Sequence, residues 1–316
     1  MALHPQCKAF LDILASGGGP PLHQLPLTEA RGVPRHLIEF GGPEEPVARV
    51  EDRVLGGPAQ AIPVRIYRPL IADNLPALMF FHGGGFVICD LESHDRQCRN
   101  LANQSGCVVI AVDYRLAPEH AFPAAIEDGY AATRYVAEHP TEFGIDANRI
   151  AVGGDSAGGN LATVVALMAR DRGGPALRFQ LLVYPVTDFE DRSPSAREYG
   201  SDHFLTLDLM QWFTDSYLPI VADRRAPYAS PMHASDVRGL PPALVITAEC
   251  DPVRDQGEAY ARKLQQAGVP VELKRYEGMI HPFFNLAGII DGGREAIAHA
   301  ASAVRVALTE GSAAGV

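Results

Sequence analysis

Long apolar runs are missing from this sequence. None approaches the ~20 residues that a membrane-spanning helix needs, so no membrane span is expected. Positive charge is also short: 27 Lys and Arg stand against 38 Asp and Glu, a formal net charge of −11. That balance argues against non-specific binding to nucleic acid or to an anionic membrane. Cysteine is sparse and odd in number: Cys7, Cys89, Cys98, Cys107 and Cys250, with no C-x-x-C pair. Such spacing fits neither a disulfide scaffold nor a zinc site, and points to reduced thiols in a cytoplasmic compartment. Neither H-E-x-x-H nor G-x-x-x-x-G-K-[ST] occurs, so no metal and no cofactor is expected. Residues 1–8 lack a basic stretch leading into an apolar run, so no secretory signal is expected. Internal repeats are absent as well.

What is present is an ordinary globular composition, 47% hydrophobic and 21% charged, over 316 residues. Those figures suit one large α/β domain with an insertion. Strand-like runs occupy residues 61–68, 77–81, 108–112, 149–152, 179–184, 243–247 and 271–276. Helical patterns fill residues 95–105, 123–138, 161–170, 254–266 and 294–308 between and after them. This alternation implies a mainly parallel sheet covered by helices on both faces. Pro63 inside the run 61–68 predicts an antiparallel edge strand there. Residues 1–45 hold short helices, the first over residues 6–15, but Pro and Gly break them too often for a core layer. They are expected to lie over the main domain. Residues 188–229 interrupt the rhythm with a polar stretch and an apolar helix at 207–217, which reads as an insertion. The tail at 311–316 is expected to fray.

The chemistry centres on Gly153-Gly154-Asp155-Ser156-Ala157-Gly158-Gly159-Asn160. A short buried strand precedes it and a helix follows, the setting in which G-x-S-x-G places a serine at a sharp, strained turn. A serine hydroxyl is a weak nucleophile without a base. His281 follows the strand 271–276, and Asp251 follows the strand 243–247. In parallel sheets, catalytic groups gather outside the carboxyl ends of strands. Ser156 as nucleophile, His281 as base and Asp251 as its orienting acid therefore form a candidate triad, in the order Ser, Asp, His. Asp251 is also a candidate helix cap, and Asp255 on the same helix is a rival acid. His82-Gly83-Gly84-Gly85 empties from the buried strand 77–81. The N–H groups of Gly84, Gly85 and Ala157 are the expected oxyanion donors, and His82 is expected to brace that loop.

Together these segments resemble the hormone-sensitive-lipase-like (family IV) carboxylesterases of the GDSAG subgroup, in the α/β-hydrolase superfamily. The matching residues are His82–Phe86, Asp113-Tyr114-Arg115-Leu116-Ala117-Pro118-Glu119-His120 with Phe122–Ala125, Gly154–Asn160, Asp251–Asp255, and His281 with Phe283. The resemblance runs from about residue 80 to 285. It implies an α/β-hydrolase fold with an eight-stranded sheet, a helical cap, and hydrolysis of short-to-medium acyl esters by a serine carboxylesterase through an acyl-enzyme. The implied layout is a cap segment at 1–45, catalytic domain at 46–187, cap insertion at 188–229, and catalytic domain again at 230–316. Gln256 stands where the family often has Glu, Pro282 where Gly often follows the histidine, and Cys250 precedes the acid; none removes a catalytic group. Cap aromatics Phe204, Trp212 and Phe213 either line an acyl pocket or bury the cap helix. The expected partner is a small-molecule ester, in a monomer or a homodimer.

Overall fold

A sheet of parallel strands must bury both faces, and the period-2 pattern of the inner strands shows how this chain does so. The computed structural model describes residues 3–309; the tail expected to fray at 311–316 lies outside them. Ahead of the sheet come α1 (Pro5–Gly17) and α2 (Leu27–Gly32). The sheet begins with β1 (Arg49–Leu55), β2 (Ile62–Arg68) and β3 (Leu75–Phe81). α3 (Asp95–Ser105), β4 (Val108–Val112), α4 (Ala124–Glu138), β5 (Ile145–Asp155), α5 (Ala157–Asp171) and β6 (Phe179–Val183) follow. α6 (Pro194–Glu198) and α7 (Leu207–Tyr217) fill the insertion. β7 (Ala243–Cys250), α8 (Arg254–Gln266), β8 (Val271–Ile280) and α9 (Asp291–Thr309) complete the order.

The eight strands form one sheet in the order β1-β2-β4-β3-β5-β6-β7-β8. β2 pairs antiparallel with β1 and β4, and the remaining pairs are parallel. Successive side chains on a strand point to opposite faces. Met79, Phe81, Ile110 and Val112 therefore join one apolar cluster, with Ile126 of α4, Leu161 of α5 and Leu264 of α8. Leu78, Phe80, Val109 and Ala111 join the other, with Leu101 of α3 and Val304 of α9. Each fully buried Leu, Ile or Val contributes about 1.5–3 kcal/mol relative to exposure.

β2 is antiparallel as expected, but it is not the edge. β1 covers it, and Pro63 pairs across from Val54. Proline is tolerated because the ladder to β4 begins one residue later, at Val64 and Val112. Pro63 therefore sits where no N–H is required, and only its carbonyl is used, accepting from Asp113 N at 3.0 Å. Among the elements that escaped the sequence pattern are two short helical ones. The polar start of the insertion holds α6, opened by Ser193 capping Ala196 N. Residues 33–41 form a 3₁₀ segment.

Strand order decides which loops meet. β3 and β5 are neighbours, with Phe81 opposite Gly154, so the loop after β3 lies against the turn after β5. β7 and β8 are neighbours, with Cys250 opposite Ile280, so Asp251 and His281 leave the sheet side by side. The insertion leaves after β6 and returns before β7. Asn160 gathers its two ends: its Nδ2 donates to Val186 O and Ala229 O, each at 2.8 Å. The N-terminal segment lies over the domain as expected, with Arg31 donating to Val87 O at 2.9 Å and Ala117 O at 3.0 Å.

Candidate active site

Ser156 sits between β5 and α5 with φ 56° and ψ −117°, a left-handed conformation that L residues rarely adopt. Its flanking glycines explain how the turn closes. A Cβ on Gly154 or on Gly158 would run into Phe81 O at the end of β3. Small residues are thus required because strand, turn and helix approach one another at van der Waals distance. Ser156 is 8% exposed.

His281 follows β8 directly, because that strand runs on to Ile280, four residues past the expected end at Tyr276. Its Nε2 lies 3.0 Å from Ser156 Oγ, and its Nδ1 lies 2.8 Å from Asp251 Oδ2. Asp251 has no exposed surface. Its Oδ1 accepts from Val253 N at 2.9 Å, in the turn ahead of α8 rather than as the helix cap, which is Val253, while Oδ2 faces the imidazole. The rival Asp255 is committed elsewhere, to Ser195 N at 2.9 Å and to Arg254 Nε at 2.8 Å. Tyr184, with φ 33°, sets its ring 4.3 Å from that of His281. No sequence signal marked it.

The Gly-rich loop stands beside the serine. Gly84 and Gly85 have φ 106° and 61°, so glycine is required twice in succession. The Gly84 carbonyl accepts from Val87 N and Ile88 N, both at 3.0 Å, which turns the loop. Among the described residues, the N–H groups of Gly84, Gly85 and Ala157 donate to no protein acceptor. The Ala157 N–H is an orphan donor at the start of α5, where the helix dipole favours negative charge.

His82 is 2% exposed. It stacks on Tyr114 at 4.4 Å, and its Nδ1 lies 2.7 Å from Gly83 O, as a brace would. Tyr114 in turn donates to His82 O at 2.7 Å. Arg115 forks onto buried Asp128 at 2.7 Å, and Ala117 N donates to Phe86 O at 2.8 Å. The stretch 113–120 therefore supports the loop from behind. Burial, with the repulsion of His94 beside it, lowers the His82 pKa from 6.5 to about 4. The folded state thus holds His82 neutral, whereas the unfolded chain takes up a proton below its ordinary pKa. The contribution of His82 to stability therefore rises with pH between about 4 and 6.5 and is lost as the protein is acidified. At 1.36 kcal/mol per unit the full loss from this group is about 3 kcal/mol. Urea unfolding of wild type and His82→Gln at pH 7 and pH 5 checks this. The variant should lose less stability than wild type on acidification, and parallel losses would refute the assignment.

Under the loop lies a buried carboxylate that the sequence marked only as part of a motif. Asp155 Oδ1 accepts from Gly83 N at 3.0 Å, and Oδ2 accepts from Asn285 Nδ2 at 3.2 Å. His94 Nε2 lies 3.2 Å from Oδ1. Burial alone would raise the Asp155 pKa, but His94, Asn285 and the charge of His281 outweigh it and hold the carboxyl below its usual range.

Phe213 of α7 lays its ring where a Gly85 Cβ would stand, so the insertion touches the Gly-rich loop directly. Trp212 packs beside it, ring centroids 5.2 Å apart. Phe204 meets Phe10 of α1, ring centroids 5.9 Å apart. Gln256 uses one oxygen for two backbone donors, Thr187 N at 2.6 Å and Asp188 N at 2.9 Å. Pro282 accepts from Asn285 N at 2.9 Å through its carbonyl, shaping the turn after the histidine.

Residues 78–285 match the family described as alpha/beta hydrolase fold. The chain is 41% identical to ethyl acetate hydrolase of Pseudomonas putida, over 94% of this chain and 96% of that one. A thermostable esterase from Pseudomonas putida ECU1011 superposes with TM-score 0.94 at 44% identity, covering 98% of each chain. An ester-hydrolase from the metagenome of Lake Arreo, solved with a derivative of bipyridine phosphonate, gives TM-score 0.93 at 44% identity, covering 96% of this chain and 98% of that one. Among the described residues, no helix is long and apolar enough to cross a membrane. With these likenesses spanning nearly the whole chain, it belongs to the alpha/beta hydrolase family, as a carboxylic ester hydrolase of the hormone-sensitive-lipase-like kind.

Proposed function

We propose that the chain hydrolyses short-to-medium acyl esters through a covalent acyl-enzyme on Ser156. The observation that carries this reading is the buried hydrogen-bonded chain Ser156 Oγ, His281 Nε2, His281 Nδ1, Asp251 Oδ2. His281 Nε2 takes the proton of Ser156 Oγ as that oxygen attacks the ester carbonyl. Asp251 holds the Nδ1–H tautomer and stabilises the imidazolium. The free N–H groups of Gly84, Gly85 and Ala157 receive the oxyanion, and each such donor is worth about 10²–10³ in turnover. His281 then gives its proton to the departing alcohol. A water, deprotonated by the same nitrogen, attacks the acyl carbonyl; the acid leaves and Ser156 regains its proton.

The segments 1–45 and 188–229 form the cap in this reading, with Phe213 and Trp212 bordering the acyl site. The name of the ethyl acetate hydrolase relative supports a short acyl group. Five free thiols, four of them buried, suit a reducing, cytoplasmic compartment.

The test is a p-nitrophenyl ester series from acetate to long acyl chains, with a fluorophosphonate probe and peptide mapping. Turnover should be highest for short and medium chains, and the probe should attach to Ser156. Absent ester turnover, or a label on another residue, would overturn the reading.

A further inference from the structure

Three segments that must stay in register around Ser156 come from distant parts of the chain: the Gly-rich loop after β3, the start of α3, and the turn after His281. One carboxylate, next in sequence to Ser156, lies within hydrogen-bond distance of a nitrogen from each. We propose that Asp155 is a positioning residue for the esterase reaction, setting the oxyanion loop and the histidine turn against the nucleophile through Gly83, His94 and Asn285. This inference rests on the reading of Ser156 as nucleophile.

The geometry leaves little freedom. Asp155 is 1% exposed. A Cβ on Gly83 would stand 2.7 Å from Asp155 Oδ2, so the loop backbone rests on the carboxylate. Gly83 N donates to Oδ1 at 3.0 Å, which fixes the peptide just ahead of Gly84. The partners are themselves held. His94 Nδ1 lies 3.0 Å from Ser93 Oγ, so its other nitrogen is aimed inward. Asn285 Oδ1 accepts from Gln97 Nε2 at 3.1 Å, which fixes which amide atom faces Asp155. Asn285 is four residues past His281 and is tied to Pro282 O through its own N–H at 2.9 Å. A shift of the carboxylate therefore moves both the oxyanion donors and the turn that carries the base. A buried network of this kind is sensitive, because a half-satisfied member costs more than none.

Neither His94 nor Asn285 bonds to Ser156, His281 or the free N–H groups; besides Asp155, His94 Nε2 meets only Gly83 N at 3.2 Å and Asn285 Nδ2 at 3.3 Å among the described residues, so their loss acts through the network around Asp155. Misplacement near 1 Å costs about 10²-fold in rate. Turnover of p-nitrophenyl acetate should fall by roughly 10- to 100-fold in Asp155→Asn, His94→Leu and Asn285→Leu, with KM changing much less. His94→Gln keeps an N–H in reach of the carboxylate and should recover most of the loss seen in His94→Leu. The pair Asp155→Asn with Asn285→Leu should lose less than the product of the single losses, since the two act as one unit.

Thermal unfolding measured alongside separates turnover from stability. If Asp155→Asn fails to fold, His94→Gln, His94→Leu and Asn285→Leu still decide. Folded variants with wild-type kcat, or equal losses for Gln and Leu at position 94, would overturn the proposal. Phosphonate labelling of the wild type tells the two failures apart. Label on Ser156 with unaffected variants removes the role of Asp155 alone; label elsewhere removes the nucleophile and this role with it.

Discussion

Ser156→Ala will lower ester turnover by about a millionfold and leave the fold intact. The loss is large because in the proposed reaction the serine oxygen is the atom that bonds to the acyl group, and among the described residues no other hydroxyl bonds to His281 Nε2. The fold survives because alanine keeps the Cβ and asks no more of the φ 56° turn than serine does. A residual rate of about 10³–10⁴ over water is expected from the oxyanion donors and binding alone. Initial rates on p-nitrophenyl acetate, with circular dichroism on the same sample, check both halves. A folded variant within a hundredfold of wild type would mean that another group makes the bond.

Asp251→Asn will cost about 10⁴ in kcat. The size follows from how its two oxygens are used. One accepts from Val253 N at 2.9 Å and the other faces His281 Nδ1 at 2.8 Å. Asparagine has a single oxygen. If that oxygen keeps the Val253 N–H, its NH₂ group faces Nδ1 and forces the proton onto Nε2. The imidazole then has no lone pair for the Ser156 proton. Asp255→Asn is the contrast, since its oxygens serve Ser195 and Arg254, and it should leave kcat within a few-fold while loosening α6. A loss under tenfold in Asp251→Asn would reduce that residue to a brace of the turn ahead of α8. A large loss in Asp255→Asn would revive the rival.

Much of this site was legible in the chain because its motifs describe backbone. Glycines at 84, 85, 154 and 158 announce turns that a Cβ would block, and those turns sit where strands end. Most strand and helix bounds followed from periodicity; α3, β4, α7 and α8 begin and end where the pattern says. What the pattern missed has a physical cause in each case. Pro63 reads as an edge residue because proline lacks a donor, yet a ladder that starts one residue later needs none. β8 runs on to Ile280 because Cys250 pairs with it across a register shift, which local propensity does not reveal. The Asp155 network escaped notice because His94 and Asn285 lie far from Ser156 in sequence, and only the order of strands in the sheet brings them together. Phe204, Trp212 and Phe213 share a segment but not a destination, since the side a helix turns to the domain depends on tertiary contacts that a helical repeat does not name.

The single amide of Asn160, bonded to Val186 O and Ala229 O, makes the insertion a cassette. Its two ends enter and leave the domain at one clasp on α5, so its length is set apart from the positions of Ser156 and His281. Lengthening such a loop is inexpensive, about 0.6 kcal/mol per doubling. If residues 188–229 form the proposed cap, diversification of this enzyme can proceed by exchange within them while Ser156, Asp251 and His281 stay where they are. That freedom is limited by Ser195, bonded to Asp255 and Pro252 O, and by Phe213, whose ring presses on Gly85. Any exchanged cassette must bring its own side chain to that spot or leave the loop unsupported.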